Sequence, residues 1–358
     1  MDHVSRQREL QAELADRRLD ALVVTHLPNV RYLCGFTGSA GILLVGLRKP
    51  IFVTDGRYTE QAHAQVHGAK IVIGKGPALD EMANQIGRLK LTSIGIEAEH
   101  MTVAQRTRFS KTLPKHAKLR ATSGLVEQLR TLKDPEELEA IRNAVNLSAE
   151  LFDVVLNAIR PGVRESEVAA ELEYAARRRG AEGMSFETIV AAGPRSALPH
   201  GVASQAVIPD RGFVVLDYGV ILAGYCSDQT RTVHVGKPTS EARKWYESVL
   251  EANLAGIEAV KAGVTAGEVD KATRDVLQRA RLDCYFTHST GHGVGLEIHE
   301  MPRLGRNQTE RLEAGMVVTV EPGIYVAGKG GIRIEDIVAV TEHGCEVLTP
   351  VSKDLVVL

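Results

Sequence analysis

Along the first hundred residues, short apolar runs alternate with polar, helix-forming stretches. Residues 4–19 carry Leu10 and Leu14 one turn apart and predict a helix, and ALVVTH from Ala21 follows as a β-type run. NVRYLCGFTGSAG then supplies turn glycines at Gly35, Gly38 and Gly41 before the apolar run ILLVG. IFVTDGRY from Ile51, KIVIG from Lys70 and SIGIE from Ser93 read as further strands, separated by helical stretches over 58–67 and 80–89. Strands interleaved with helices predict an α/β domain over residues 1–125.

The second domain, residues 126–358, is expected to open on a long helix. Asp134 is its N-cap, Pro135 takes the first helical position and Glu137 closes a capping box. Leu138, Ile141, Val145, Ser148, Phe152, Val155 and Ile159 then step by three and four, predicting one amphipathic helix about 37 Å long that Pro161 and Gly162 stop. Beyond it the pattern repeats. RPGVRESEVAAELEYAARRRG from Arg160 aligns with KAGVTAGEVDKATRDVLQRAR from Lys261, matching Gly162 to Gly263 and Glu167 to Glu268, each a turn plus a helix. Likewise GFVVLDYG from Gly212 resembles GMVVTVEPG from Gly315, and each is followed by a second acidic residue, Asp228 or Glu335. The expectation is a two-fold duplicated α/β unit with its chemistry between the halves.

Those acidic residues change the picture, because each interrupts an apolar strand where an unpartnered charge is costly. Turn glycines set Asp217 near Asp228 and Glu321 opposite Glu335, with Arg333 on the face of Glu335. His292 lies between glycines in GHGVGLEIHE. Four carboxylates so close would repel by several kcal/mol in a low-dielectric pocket unless cations neutralised them. One His and four carboxylates exceed what a single ion needs, so the pattern predicts a two-metal hydrolytic centre.

Composition narrows the field further. In 358 residues, 43 Lys and Arg face 45 Asp and Glu, which leaves no basic surplus for phosphate and argues against nucleic acid or an anionic membrane as partner. Cys34, Cys226, Cys284 and Cys345 form no CxxC pair, and no apolar run approaches the roughly 18 residues of a membrane span. A soluble protein of the reducing cytoplasm is expected.

Through LDYG, SDQTRT, GHGVGLEIHE, VEPGIY and GIRIED, the chain resembles the Xaa-Pro peptidase branch of the pita-bread metallopeptidases, the family of prolidase and aminopeptidase P. NVRYLCGFTGSAG and TDGRYTEQA resemble the creatinase-type N-terminal domain of the same enzymes. The resemblance implies an α/β (α+β) chain, a creatinase-like N-terminal domain followed by a duplicated pita-bread catalytic domain. It implies Asp217, Asp228, His292, Glu321 and Glu335 as ligands of two divalent ions, usually Mn2+ with Co2+ or Zn2+ as alternatives, with Asp228 and Glu335 bridging. His200 and His299 correspond to histidines that contact the scissile peptide, and His288 to a pocket residue near the proline. Tyr325 and Arg333 correspond to partners that orient the carboxylates, although Arg333 also reads as a buried ion pair. Arg303 corresponds to a clamp for a dipeptide carboxylate, or is a solvated loop charge. The implied reaction is attack of a metal-held hydroxide on the carbonyl before proline, with Glu321 handling the proton, in short proline-containing peptides and in a homodimer. The competing reading is a peptide-binding or chaperone module of the same fold that no longer hydrolyses.

Overall fold

The five strand-like runs of the N-terminal half, joined by a sixth strand that the pattern does not predict, form one sheet in the computed structural model, which describes residues 1–358. They are β1 (Ala21–Val24), β2 (Ile42–Gly46), β3 (Ile51–Asp55), β4 (Lys70–Gly74), β5 (Ser93–Glu97) and β6 (Lys118–Thr122), in the order β4-β3-β2-β1-β5-β6. β1 is buried along its whole length, as its unbroken apolar run requires at the centre of a sheet. β2 pairs antiparallel with β1 and β3, whereas β4, β5 and β6 join in parallel through helical crossovers. The stretch with turn glycines holds a helix that its glycines concealed, Leu27–Cys34, started by a proline in its first turn and ended by Gly35 in the left-handed region. This unit runs from Met1 to Arg130 and a second from Thr131 to Leu358.

The second unit opens with the helix Pro135–Glu150, and its capping box forms as expected: Asp134 accepts from the Glu137 N–H while Glu137 accepts from the Asp134 N–H. The single long helix does not form. It stops at Leu151 and restarts as Phe152–Ala158. At the break the Leu151 N–H reaches back only three residues, to the Ser148 carbonyl at 3.1 Å, and that carbonyl also accepts from the buried Tyr218 hydroxyl at 3.3 Å.

The internal repeat is present in the backbone. Helices Glu165–Arg178 and Ala266–Arg279 begin and end at positions separated by the same 101 residues. Each is preceded by a glycine in the left-handed region, Gly162 at φ 89° and Gly263 at φ 87°, a conformation a side chain would strain. Equivalent bonds close the two turns: Gly162 N–H to Ile208 O at 3.0 Å, and Gly263 N–H to Leu312 O at 2.8 Å.

Around these helices lie thirteen short strands. β7 (Gly183–Met184), β10 (Val220–Leu222) and β11 (Tyr225–Cys226) form one small sheet, and β8 (Ile189–Ala192), β9 (Gly212–Tyr218) and β12 (Gln229–Val235) another. β13 (Gly291–Gly293), β14 (Glu300–Leu304), β15 (Val317–Val320), β18 (Asp336–Val340) and β19 (Cys345–Val347) make a five-stranded antiparallel sheet. β16 (Gly323–Val326) and β17 (Gly330–Arg333) form a separate ribbon. Val190, Val214, Leu216 and Val233 of the first half pack against Val168 and Leu172 of its helix. Val318, Val320, Val338 and Val340 pack against Val269 in the second. Each half therefore has its own apolar layer, which leaves the polar side chains of the strand ends to meet one another.

Candidate metal centre

Asp217 lies in β9 opposite Thr230 of β12, and Asp228 immediately precedes β12. In the second half, the ladder between β15 and β18 ends at Val320 opposite Asp336, and the next begins at Gly323 opposite Arg333. Glu321 and Glu335 fill that break. Their backbone N–H groups turn to other partners, Glu321 to Thr290 O at 2.7 Å and Glu335 to Thr230 O at 3.1 Å, so the interruption costs no unpaired donor. The second bond also ties one half of the repeat to the other.

His292 sits in β13, where its Nδ1–H donates to the Gly293 carbonyl at 3.0 Å. That fixes the tautomer and leaves the Nε2 lone pair facing the acids, 3.5 Å from Asp228 and 3.6 Å from Glu321. Donor atoms of Asp228, His292 and Glu335 all lie within 4.8 Å of one another. Burial holds His292 neutral, with its pKa lowered to about 4.

The carboxylates strain against each other. Burial, then Glu335, Asp217 and Glu321, raise the Asp228 pKa well above the usual carboxylate range. Glu321 is raised in the same way by burial and Glu335, and Glu335 reaches about 8 through burial and Asp217. Arg333 is the cation that offsets them, helped by hydrogen bonds from Thr230 to Glu335 and from Thr319 to Glu321. The Arg333 Nη2 bonds Asp217 Oδ2, its Nη1 bonds the Tyr325 hydroxyl at 2.6 Å and Pro199 O at 3.1 Å, and its Nε bonds Thr230 Oγ1 at 3.2 Å. Thr230 in turn donates to Glu335 Oε2 at 2.7 Å. Asp217 Oδ1 is buried with no hydrogen-bond partner. An orphaned carboxylate oxygen, an oriented neutral imidazole and a surplus of buried negative charge form a donor set that fits divalent cations.

This cluster lines a cavity of about 610 Å³. His200, His288, His299 and Arg303 line the same cavity, together with the apolar Phe186, Ile189, Val202 and Ile298. The His299 ring stands edge-on to His292 at 4.4 Å. His288 Nδ1–H donates to Ser289 O at 2.8 Å, and its Nε2 accepts from the Tyr325 hydroxyl at 2.9 Å. With both nitrogens committed and its pKa lowered to about 3 by burial, His288 is a fixed neutral wall rather than a proton carrier. Tyr325 lies behind that wall, linking Arg333 to His288.

Two buried networks support the cluster without any signal in the sequence. Arg231 spends all five N–H groups: Nε on Ser352 O, Nη1 on Thr230 O and Glu335 O, and Nη2 on Asp336 Oδ1 and Val351 O. It staples the C-terminal segment to the backbone of Glu335. Asp270 accepts from Arg274 Nε at 2.7 Å and Thr290 Oγ1 at 2.8 Å, while Arg274 also donates to the His288 carbonyl. That pair fixes the loop from which His288 and the carbonyl partner of Glu321 project.

One consequence is measurable. Because burial and Asp217 raise the Glu335 carboxyl to about 8, a cation taken up at this carboxylate would displace its proton. Mn2+ binding is expected to release protons near pH 7, and apparent affinity to rise with pH up to about 8 and then level. Calorimetry in buffers of different ionisation enthalpy counts those protons. Uptake with no proton exchange between pH 6.5 and 7.5 would mean that the Glu335 carboxyl is already ionised in this range or does not take part in binding.

Comparison with known proteins places the chain. The model of metallopeptidase family M24 matches residues 139–342, and that of the creatinase/prolidase N-terminal domain matches residues 6–132. A structure of an Xaa-Pro dipeptidase from Bacillus anthracis superposes with a TM-score of 0.97 at 43% identity over 100% of both chains. One of an X-Pro aminopeptidase from Thermotoga maritima gives 0.90 at 37% identity, covering 96% of this chain and 99% of that one. An Xaa-Pro dipeptidase from Pyrococcus horikoshii is 36% identical over 99% of this chain and 100% of its own length. The fold and cluster are those of a metal-dependent peptidase. The chain belongs to metallopeptidase family M24 and carries the creatinase/prolidase N-terminal domain.

Proposed function

We propose that the chain hydrolyses the bond between an N-terminal residue and proline in short peptides. The observation that carries this is the convergence of Asp217, Asp228, His292, Glu321 and Glu335 in a cavity that His200 and His299 also line. The relatives named above share the Xaa-Pro preference, which supports the same substrate class here. Those five side chains would hold two divalent ions, manganese by preference with cobalt or zinc as substitutes. Such ions supply Lewis acidity and make water nucleophilic near neutral pH. Glu321 takes the proton of the attacking water. His200 and His299 donate hydrogen bonds to the developing oxyanion. An imino bond has no N–H to read, so the proline is selected by shape, against His288 and the apolar wall. Arg303 clamps the carboxylate of a dipeptide.

The test is alanine release from Ala-Pro by protein stripped with chelator and then reloaded with Mn2+. Turnover that vanishes and returns is expected; turnover indifferent to chelation, or peptide bound but never cut, overturns the reading. All four cysteines are free thiols, and burial pushes Cys34 and Cys226 up to about 12, which suits a reducing cytoplasm. No helix is long and apolar enough to cross a membrane. A homodimer, as the family resemblance implies, is checked by sedimentation.

A further inference from the structure

The buried face of helix Ser240–Ala259 carries Tyr246, Val249, Ala252 and Gly256, and among them an asparagine, Asn253, with no exposed surface. A carboxamide taken out of water needs partners at both ends. Its Nδ2 donates to the Val320 carbonyl at 2.9 Å and to the Ile334 carbonyl at 3.3 Å, while its Oδ1 accepts from Lys353 Nζ at 3.0 Å. A lysine only donates, so the third bond fixes which end of the amide faces the strands. Lys353 is itself anchored on Asp336 Oδ2 at 2.7 Å.

The two carbonyls are those immediately before Glu321 and Glu335. A carbonyl and the N–H of the next residue belong to one rigid plane. The plane joining Val320 to Glu321 is therefore held at one edge by Asn253 and at the other by Thr290 O, and the plane joining Ile334 to Glu335 by Asn253 and Thr230 O. One side chain is common to both. It acts in the gap between the β15–β18 and β16–β17 ladders, where regular pairing lapses and the bond from Ile334 N–H to Pro322 O is long at 3.4 Å. The helix lies close enough for so short a side chain to reach, since a Cβ at Gly256 would meet Val320 Cγ1 at 2.7 Å. The first half of the repeat uses a similar device. Gln229, next to Asp228 and buried, donates at 2.9 Å to the hydroxyl of Tyr218, next to Asp217. In each half a buried carboxamide ties together the neighbours of its two acids.

We infer that Asn253 is a positioning residue of the metal centre, setting the separation of Glu321 and Glu335 through their backbones rather than through their carboxylates. This rests on the metal-dependent reading of the site proposed above and adds a residue from outside its cavity.

The experiment measures Mn2+ affinity by calorimetry on the chelator-stripped full chain, and the visible absorption of the Co2+-loaded protein, for wild type, Asn253→Leu and Val249→Ala. Leucine keeps the branched shape and removes both bonds. Val249→Ala opens a cavity on the same buried helix face, and so controls for lost stability alone. Asn253→Leu is expected to weaken Mn2+ binding by about tenfold or more, within the roughly 10–100-fold range of groups that orient metal ligands. It should also change the Co2+ band, which reports ligand geometry. Val249→Ala should lower Tm and leave the affinity within about twofold of wild type, as expected for a site with no shared partner. If Asn253→Leu does not fold, Lys353→Met replaces it: the asparagine stays, the bond that aims its amide is lost, and a several-fold weaker affinity is expected. Affinity and Co2+ band unchanged in the variant that folds, or affinity weakened equally in Val249→Ala, overturns the inference while leaving the metal-dependent reading standing. A wild-type chain that takes up no Mn2+ overturns both.

Discussion

Glu321→Ala is expected to lower Xaa-Pro turnover by about three orders of magnitude or more while unfolding stays cooperative. The size follows from two losses at one position. Positioned proton transfer contributes roughly 10²–10⁴ in rate, and the substitution also removes a donor from the cation cluster. The fold should survive because Glu321 contributes its backbone to the structure independently of its carboxylate: its N–H is held by Thr290 O at 2.7 Å. Removing the carboxylate even relieves repulsion, since Glu335 is the first charge that raises Glu321 after burial. The metal-free variant should therefore be no less stable than the metal-free parent at pH 8. Steady-state kinetics and metal analysis on the same sample separate the two losses. Unchanged turnover with the metal still bound would remove Glu321 from the mechanism.

Legibility from sequence depended on whether a residue's partner was local. The central strands of the N-terminal sheet were readable because unbroken apolar runs such as ALVV and ILLVG must be buried somewhere. The strand Lys118–Thr122 and the helix Val103–Thr112 were not read, because one is a half-exposed sheet edge and the other buries only Phe109. The short helix Leu27–Cys34 was hidden by the glycines after it, although Pro28 marked its start. In the second unit, the break at Leu151 lies against a hydroxyl seventy residues away, that of Tyr218, which no periodicity encodes. The same rule divides the site. Acids that interrupt apolar strands announce themselves, and alternation puts Arg333 on the face of Glu335. Arg231 and Arg274 act mostly on backbone carbonyls of distant segments, and nothing in their immediate neighbours distinguishes them from surface arginines.

Arg333→Met is expected to destabilise the metal-free protein by about 3–5 kcal/mol near pH 8, the usual cost of removing one member of a buried ion pair. Arg333 is 3% exposed and is the one cation among Asp217, Asp228, Glu321 and Glu335. Its loss leaves Asp217 Oδ2 as bare as Oδ1 already is, and leaves the Tyr325 hydroxyl without its donor. The pH dependence carries a definite sign. A carboxyl whose folded pKa lies above its unfolded value favours the folded state when protonated, so that stability is present at low pH and lost as pH rises through the folded pKa. Asp228, Glu321 and Glu335 are all raised, Glu335 to about 8, and Arg333 opposes the rise in each of them. Removing Arg333 raises them further. The penalty should thus be smallest near pH 5, where Glu335 is already protonated in the folded state, and should grow toward pH 8. Below about pH 6.5 a second term enters, because the lowered pKa of His292 makes folding less favourable as the unfolded imidazole takes up a proton. That contribution of His292 is common to parent and variant and cancels in their difference, whereas Arg333 helps hold His288 low, so its loss eases the same cost at His288 and shrinks the penalty further at low pH. Mn2+ should recover much of the stability near pH 8, since cations replace the charge that the guanidinium supplied. Denaturant unfolding at the two pH values, with and without Mn2+, measures all of this. A penalty equal at pH 5 and pH 8 would mean that Arg333 serves only to pack against Tyr325 and does not balance the acidic cluster.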